Sequence, residues 1–248
     1  MSRIRRSRTG GTGLQGRGLS QMHDALKEIN QRIRNAANAC GRDPAEIRLV
    51  AVSKTVPAEH IRPAVEAGVS ILGENYIQEA GEKIEQLSDL DVSWHFIGHL
   101  QSNKAKFAVR WFDLIHTVDT VKLAREISKQ AAKLDKVQNI LIQVNIGMEA
   151  SKSGIAEAET IALMREISGF ENIAVKGLMT IPPYFDAPEM VRPYFKALAA
   201  LRDRISAETI PNVSMKELSM GMSGDFEAAI CEGSTLVRIG TAIFGDRE

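Results

Sequence analysis

What this 248-residue sequence has little of already limits what it can be. It holds two cysteines, Cys40 and Cys231, far apart and with neither CxxC nor zinc-ligand spacing. The simplest reading is a pair of reduced thiols in a cytoplasmic protein. No apolar run approaches the roughly 20 residues that span a bilayer, so no membrane partner is expected. Lysine plus arginine equals aspartate plus glutamate at 31 each. That balance leaves no overall field to gather nucleic acid or acidic lipid, and no nucleic-acid partner is expected. No GxGxxG opens a helix after the first strand-like run, which counts against dinucleotide binding. What remains, 44% apolar and 25% charged residues, is the make-up of a globular chain long enough to bury one large core.

The first twenty residues stand apart. They carry five arginines, five glycines and no acidic residue, and they lack the apolar segment of a secretory signal. Residues 1–20 are read as a disordered basic, glycine-rich tail, and the folded domain as 21–248.

From residue 21 onward, helical and strand-like patterns alternate. A first helix, 23–39, places Leu26, Ile29, Ile33 and Ala37 at helical spacing. Short apolar runs then recur: IRLVAVS, SILGEN, WHFIGH, DLIHTVD, NILIQVN, VKGLMTI, VSMKELSM and TLVRIGTAIF. Helical patterns separate them at 57–68, 75–88, 101–111, 120–134, 156–168, 187–207 and 224–232. Eight strands, each but the last followed by a helix, predict an α/β fold: a single closed (β/α)8 TIM-type barrel with an extra N-terminal helix.

A barrel of this kind places its chemistry at the carboxyl ends of the strands. Those ends read Lys54, Asn75, His99, Asp119, Asn145, Thr180, Ser219 and Arg238-Gly240-Thr241. Lys54 is the most telling. An amine at the rim of an apolar core loses hydration, which makes its neutral, nucleophilic form accessible, as Schiff-base chemistry requires. A lysine that snorkels out at a strand end is the competing account.

The last two strand ends add glycines. SMGMSGDF brings Gly221, Ser223 and Gly224 to a strand-to-helix turn, and RIGTAIFG puts Gly240 and Thr241 in the final strand. Glycine lets backbone approach a ligand, and free N–H groups at a helix start hold anions, so a phosphate cradle is one reading and tight turns the other. Asp225 would oppose an anion there unless it points away. Arg238, on the same face as Gly240, would need an acceptor inside the barrel, either an internal carboxylate such as Asp119 or a ligand nitrogen.

A strand-end lysine, a phosphate cradle and an adjacent arginine describe a pyridoxal 5′-phosphate site. The blocks VAVSKTVP, GENYIQE, WHFIGHLQSNK, EASKSG, GLMTIPP, LSMGMSGDF and VRIGTAIFG, in that order over residues 22–247, closely resemble the pyridoxal 5′-phosphate homeostasis protein family, relatives of the alanine racemase N-terminal barrel. The resemblance implies that Lys54 forms a Schiff base with the cofactor, that Arg238 faces the pyridine nitrogen, and that Ser219, Ser223, Gly240 and Thr241 surround the phosphate. Asn75 would lie near the ring substituents. It also implies a protein that buffers or delivers pyridoxal phosphate, with apo-enzymes as possible recipients and no efficient catalysis. A low-activity amino-acid racemase is the alternative, and a cofactor-free Schiff-base aldolase a weaker one. Among the remaining groups, His99 is expected at the mouth and His95 in the packing, their spacing being poor for a shared metal. Lys152 is either a ligand contact or a solvated lysine.

Overall fold

The computed structural model describes residues 19–147 and 153–245; residues 1–18 of the expected tail, and Lys152, lie outside these. The strands are β1 (Arg48–Val52), β2 (Ile71–Glu74), β3 (Ser93–Phe96), β4 (Leu114–Val118), β5 (Gln138–Asn145), β6 (Ile155–Ala156), β7 (Ile173–Met179), β8 (Val213–Ser219) and β9 (Leu236–Ile239). The helices are α1 (Leu19–Ala39), α2 (Ala58–Glu66), α3 (Ile77–Gln86), α4 (Ala105–Trp111), α5 (Val121–Ala132), α6 (Thr160–Ile167), α7 (Arg192–Ala207), α8 (Phe226–Cys231) and α9 (Thr241–Phe244).

Strand order is β4-β3-β2-β1-β9-β8-β7-β5, and β4 also pairs with β5, so the sheet closes on itself. Every pairing is parallel. This is the expected (β/α)8 barrel, with α1 as the extra helix and β6 a two-residue strand attached to the end of β5. Closure removes the edges that an open parallel sheet would expose.

Alternation along the strands creates two cores. One face of each strand packs outward onto helices, as Val237 and Ile239 of β9 do. The other face fills the barrel, where Val50, Ile71, Leu114, Leu141, Met179 and Leu236 form a separate apolar cluster. Arg238 follows Leu236 by two residues and so points inside as well. The helix α1 begins at Leu19, four residues before the sequence pattern did, and buries the expected Leu26, Ile29, Ile33 and Ala37. It lies against α8, with Arg32 stacked 4.6 Å over the Phe226 ring and paired to Glu227 at 2.6 Å.

Two sequence expectations are corrected. The last strand ends at Ile239 and does not run through 244: Gly240 (φ −119°, ψ −77°) leaves the extended conformation and caps α9, which closes at Gly245 with φ +89°. The last strand, β9, is therefore followed by a short helix. The cysteines, expected as separate reduced thiols, are joined in a disulfide with their Cα atoms 5.3 Å apart, because α1 and α8 bring together residues 191 apart in sequence.

Two outcomes follow from this packing. Gly177 sits where β7 and β8 shift register, and a Cβ there would stand 1.8 Å from the Glu217 carbonyl oxygen. Gly177→Ala is expected to cost at least about 2 kcal/mol of stability by urea unfolding, and an unchanged midpoint would contradict this strand approach. Alkylation of the unreduced, denatured protein should leave Cys40 and Cys231 unlabelled and joined in one cross-linked peptide; two labelled thiols would remove the bridge.

Candidate functional site

The carboxyl ends of the barrel strands form one rim. Between Asn75, Ile97, Gly98, His99, Thr117, Gln143, Ser153 and Ile181 lies a cavity of about 210 Å3. Asn75 and His99, both expected at the mouth, line it. The close approach behind Asn75 needs a glycine, because a Cβ on Gly98 would stand 2.1 Å from the Asn75 carbonyl oxygen. The side-chain oxygen of Asn75 is buried and has no hydrogen-bond partner among the described residues. A buried amide left in that state is an opening for a ligand donor.

Lys54 stands two residues beyond β1, half-buried, on the alternation that places Val50 inside the barrel. Its neighbours on both sides are held from behind. Ser53 Oγ donates to Glu74 Oε1 at 2.6 Å, and the Thr55 amide donates to Glu79. Thr55 adopts φ +61°, a left-handed conformation that costs a β-branched residue about 1–2 kcal/mol. Lys83 of α3 locks the arrangement, donating to the Ser53 carbonyl (2.6 Å), Glu74 Oε1 (2.8 Å) and Glu79 Oε1 (2.5 Å). Burial raises the Glu74 carboxyl above the ordinary range, with Lys83 and Ser53 opposing that rise.

Arg238 is almost fully buried, and its guanidinium donates to Ser219 Oγ (2.7 Å) and to the Thr180 carbonyl (3.0 Å). Burial pulls its pKa down to about 10, against the attraction of Asp225. Asp119, one acceptor the sequence allowed for Arg238, instead takes the Gly154 amide at 3.2 Å. Ser219 and Arg238 are thus brought together, with the hydroxyl turned inward.

The glycine turns flank this pair. Gly221, at φ +93°, accepts the Arg238 amide through its carbonyl at 3.0 Å. Ser223 is half-buried in the turn before α8. Asp225 folds back on its own turn, accepting the Met222 amide at 2.5 Å, and burial raises its pKa. Across the rim, Ala51 of β1 pairs with Ile239 of β9. That register puts Gly240 and Thr241 beside the segment carrying Lys54. His95, expected in the packing, is buried and bound to His116 Nε2 at 3.0 Å.

Sequence reading missed Glu74, Lys83 and His116. The signal for Lys83 was a lysine on the apolar face of an amphipathic helix, three residues after Ala80 and six after Ile77. Removing it isolates the buried Glu74 carboxylate. Lys83→Met is expected to lose about 3–5 kcal/mol at neutral pH. A carboxyl whose folded pKa is raised binds its proton more tightly when folded, so its cost grows as pH rises above the unfolded pKa. The loss in Lys83→Met should therefore be smaller at about pH 5 than at about pH 8; equal losses would uncouple Glu74 from Lys83.

The chain is similar to known proteins over nearly all of its length. The alanine racemase N-terminal domain family matches residues 25–248. A pyridoxal phosphate homeostasis protein of Aquifex aeolicus is 47% identical over 225 residues, covering 91% of this chain and 98% of that one. The Escherichia coli protein of the same description is 44% identical over 230 residues, covering 90% and 95%. Among solved structures, PipY of Synechococcus elongatus with PLP bound superposes with a TM-score of 0.79 at 33% identity, over 90% of this chain and all of that one. An alanine racemase of Clostridium difficile shares the fold at 15% identity and TM-score 0.68, with 56% of its length covered. With almost the whole of both chains aligned at such identity, this protein belongs to the pyridoxal phosphate homeostasis protein family.

Proposed function

We propose that this protein binds pyridoxal 5′-phosphate at the barrel mouth and buffers or delivers it, supporting pyridoxal phosphate and amino-acid balance. The observation that carries the reading is the convergence of Lys54 and the two glycine turns on one rim with Arg238 just beneath it, in a family with a member solved with PLP bound. The residues fit the group. Lys54 offers an amine on a firmly held segment, and Asn75 offers a buried, unpartnered amide oxygen beside it. Ser223, Gly240 and Thr241 stand around the phosphate position. Ser219, which the resemblance put at the phosphate, has its hydroxyl bound to Arg238 and so acts through the group that faces the ring nitrogen.

When bound, pyridoxal phosphate supplies an aldehyde for capture by lysine and a ring that can withdraw electrons. Arg238 works against the second property. A cation facing the ring nitrogen disfavours protonation there, so the ring withdraws electrons less strongly. Acid–base groups on both faces of an amino acid are needed for racemisation. Lys54 serves one face, while His99 is an exposed residue on the rim. This favours a carrier over the racemase alternative, with apo-enzymes as recipients.

Among the described residues no helix is long and apolar enough to cross a membrane. We place the protein in the cytoplasm, where such recipients are made. The Cys40–Cys231 bridge pulls the other way, since disulfides are rare in reducing compartments.

Borohydride reduction of the loaded protein followed by peptide mapping should put the adduct on the peptide containing Lys54, and Lys54→Ala should lose the absorbance of bound cofactor. An adduct confined to Lys104 or Lys152 would move the site. Transfer of the cofactor to an apo-enzyme, with at most trace racemisation of alanine, is the expected behaviour. Robust racemisation abolished by His99→Ala would make the protein an enzyme.

A further inference from the structure

Below the rim, a line of buried polar side chains crosses the barrel. Arg238 donates to Ser219 Oγ at 2.7 Å, Ser219 Oγ lies 2.9 Å from His116 Nδ1, and His116 Nε2 lies 3.0 Å from His95 Nδ1. Ser219 and His116 have no exposed surface, and Arg238 and His95 are 4% exposed each. The chain joins β9, β8, β4 and β3.

The proton positions follow from what each group can do. A guanidinium only donates, so Ser219 Oγ must accept from Arg238. The hydroxyl's own proton then points to His116 Nδ1, which must be bare. A neutral imidazole with a bare Nδ1 carries its proton on Nε2, from which it donates to His95 Nδ1. The reverse assignment would leave the buried Ser219 proton without an acceptor. Neutral rings are what burial dictates: it lowers the His95 pKa to about 4 and, with His95 and Arg238 close by, holds His116 well below the ordinary histidine value.

We infer that His116 is a positioning residue for Arg238, drawing the Ser219 proton inward so that the hydroxyl oxygen stays turned toward the guanidinium and fixes its attitude below the mouth. The inference rests on the reading that Arg238 faces the ring nitrogen of pyridoxal phosphate. The acceptor at Nδ1 is the essential feature, more than the ring. An asparagine can present its side-chain oxygen near the same place, whereas a phenylalanine fills the space with no acceptor.

The experiment has two arms. Nitrogen-labelled histidine NMR of the full chain without cofactor should show His116 neutral and protonated on Nε2 from about pH 5 to pH 8. A proton on Nδ1, or conversion to imidazolium in that range, would overturn the chain. Pyridoxal phosphate titration should then show His116→Phe binding roughly tenfold more weakly, the scale of one buried hydrogen bond. His116→Asn should recover most of that loss. Unchanged binding in His116→Phe, or equal weakness in both variants, would sink the positioning role. If His116→Phe fails to fold by circular dichroism, the NMR arm on the unaltered protein decides. An unaltered protein that binds no pyridoxal phosphate would defeat the proposed function, and the tautomer measurement would still judge the chain.

Discussion

A guanidinium buried inside a closed barrel is the constraint around which the upper half of this protein is arranged. Arg238 cannot shed its charge cheaply, and water does not reach it. It therefore has to be met by oxygens aimed at it: a strand-end serine, a backbone carbonyl after β7 and, more distantly, the carboxylate of Asp225. The carbonyl follows β7, the serine ends β8 with Asp225 after it, and the arginine itself stands on β9, so the charge ties these three strands into one unit. The apolar layer beneath it, from Val50 to Leu236, closes the barrel to solvent and makes those few contacts decisive.

Lys83 solves the same problem on the other side of the sheet. It is a buried cation between β2 and α3, satisfied by two carboxylates and a carbonyl. Its effect is felt at Lys54, whose neighbours are both bound to groups that Lys83 holds. A segment fixed in this way can carry a left-handed threonine, because the surroundings over-determine the backbone. The segment carrying Lys54 is thus held by contacts from β2 and α3 behind it.

The barrel and the ring of strand-end residues could be read from the chain because both are local. Apolar runs such as LVAV mark strands by themselves, and the residue after each run is the one at the rim. Lys54, Asn75, Ser219 and Arg238 all became visible in that way. His116 did not, because within LIHTV it looks like a polar interruption of a buried strand, and its meaning depends on Ser219, 103 positions later. Glu74 was hidden inside a motif read for its asparagine. The helix after β9 is four residues long, too short for any periodicity to form, so the strand pattern absorbed it. The cysteine pair was hidden by the same distance that makes its closure notable.

The first elements of the chain are completed by its last ones. The strand β1 has β9 as one of its two neighbours, and α1 lies across α8. A nascent chain emerging from the ribosome amino end first would have Lys54 in hand early, with β2 on one side of its strand and, for most of synthesis, nothing on the other. The apolar face of α1, with Leu26, Ile29 and Ile33, would wait through roughly two hundred residues of translation for its cover. With β9 as one of the two neighbours of β1, closure of the barrel beside Lys54 has to wait for the last strand.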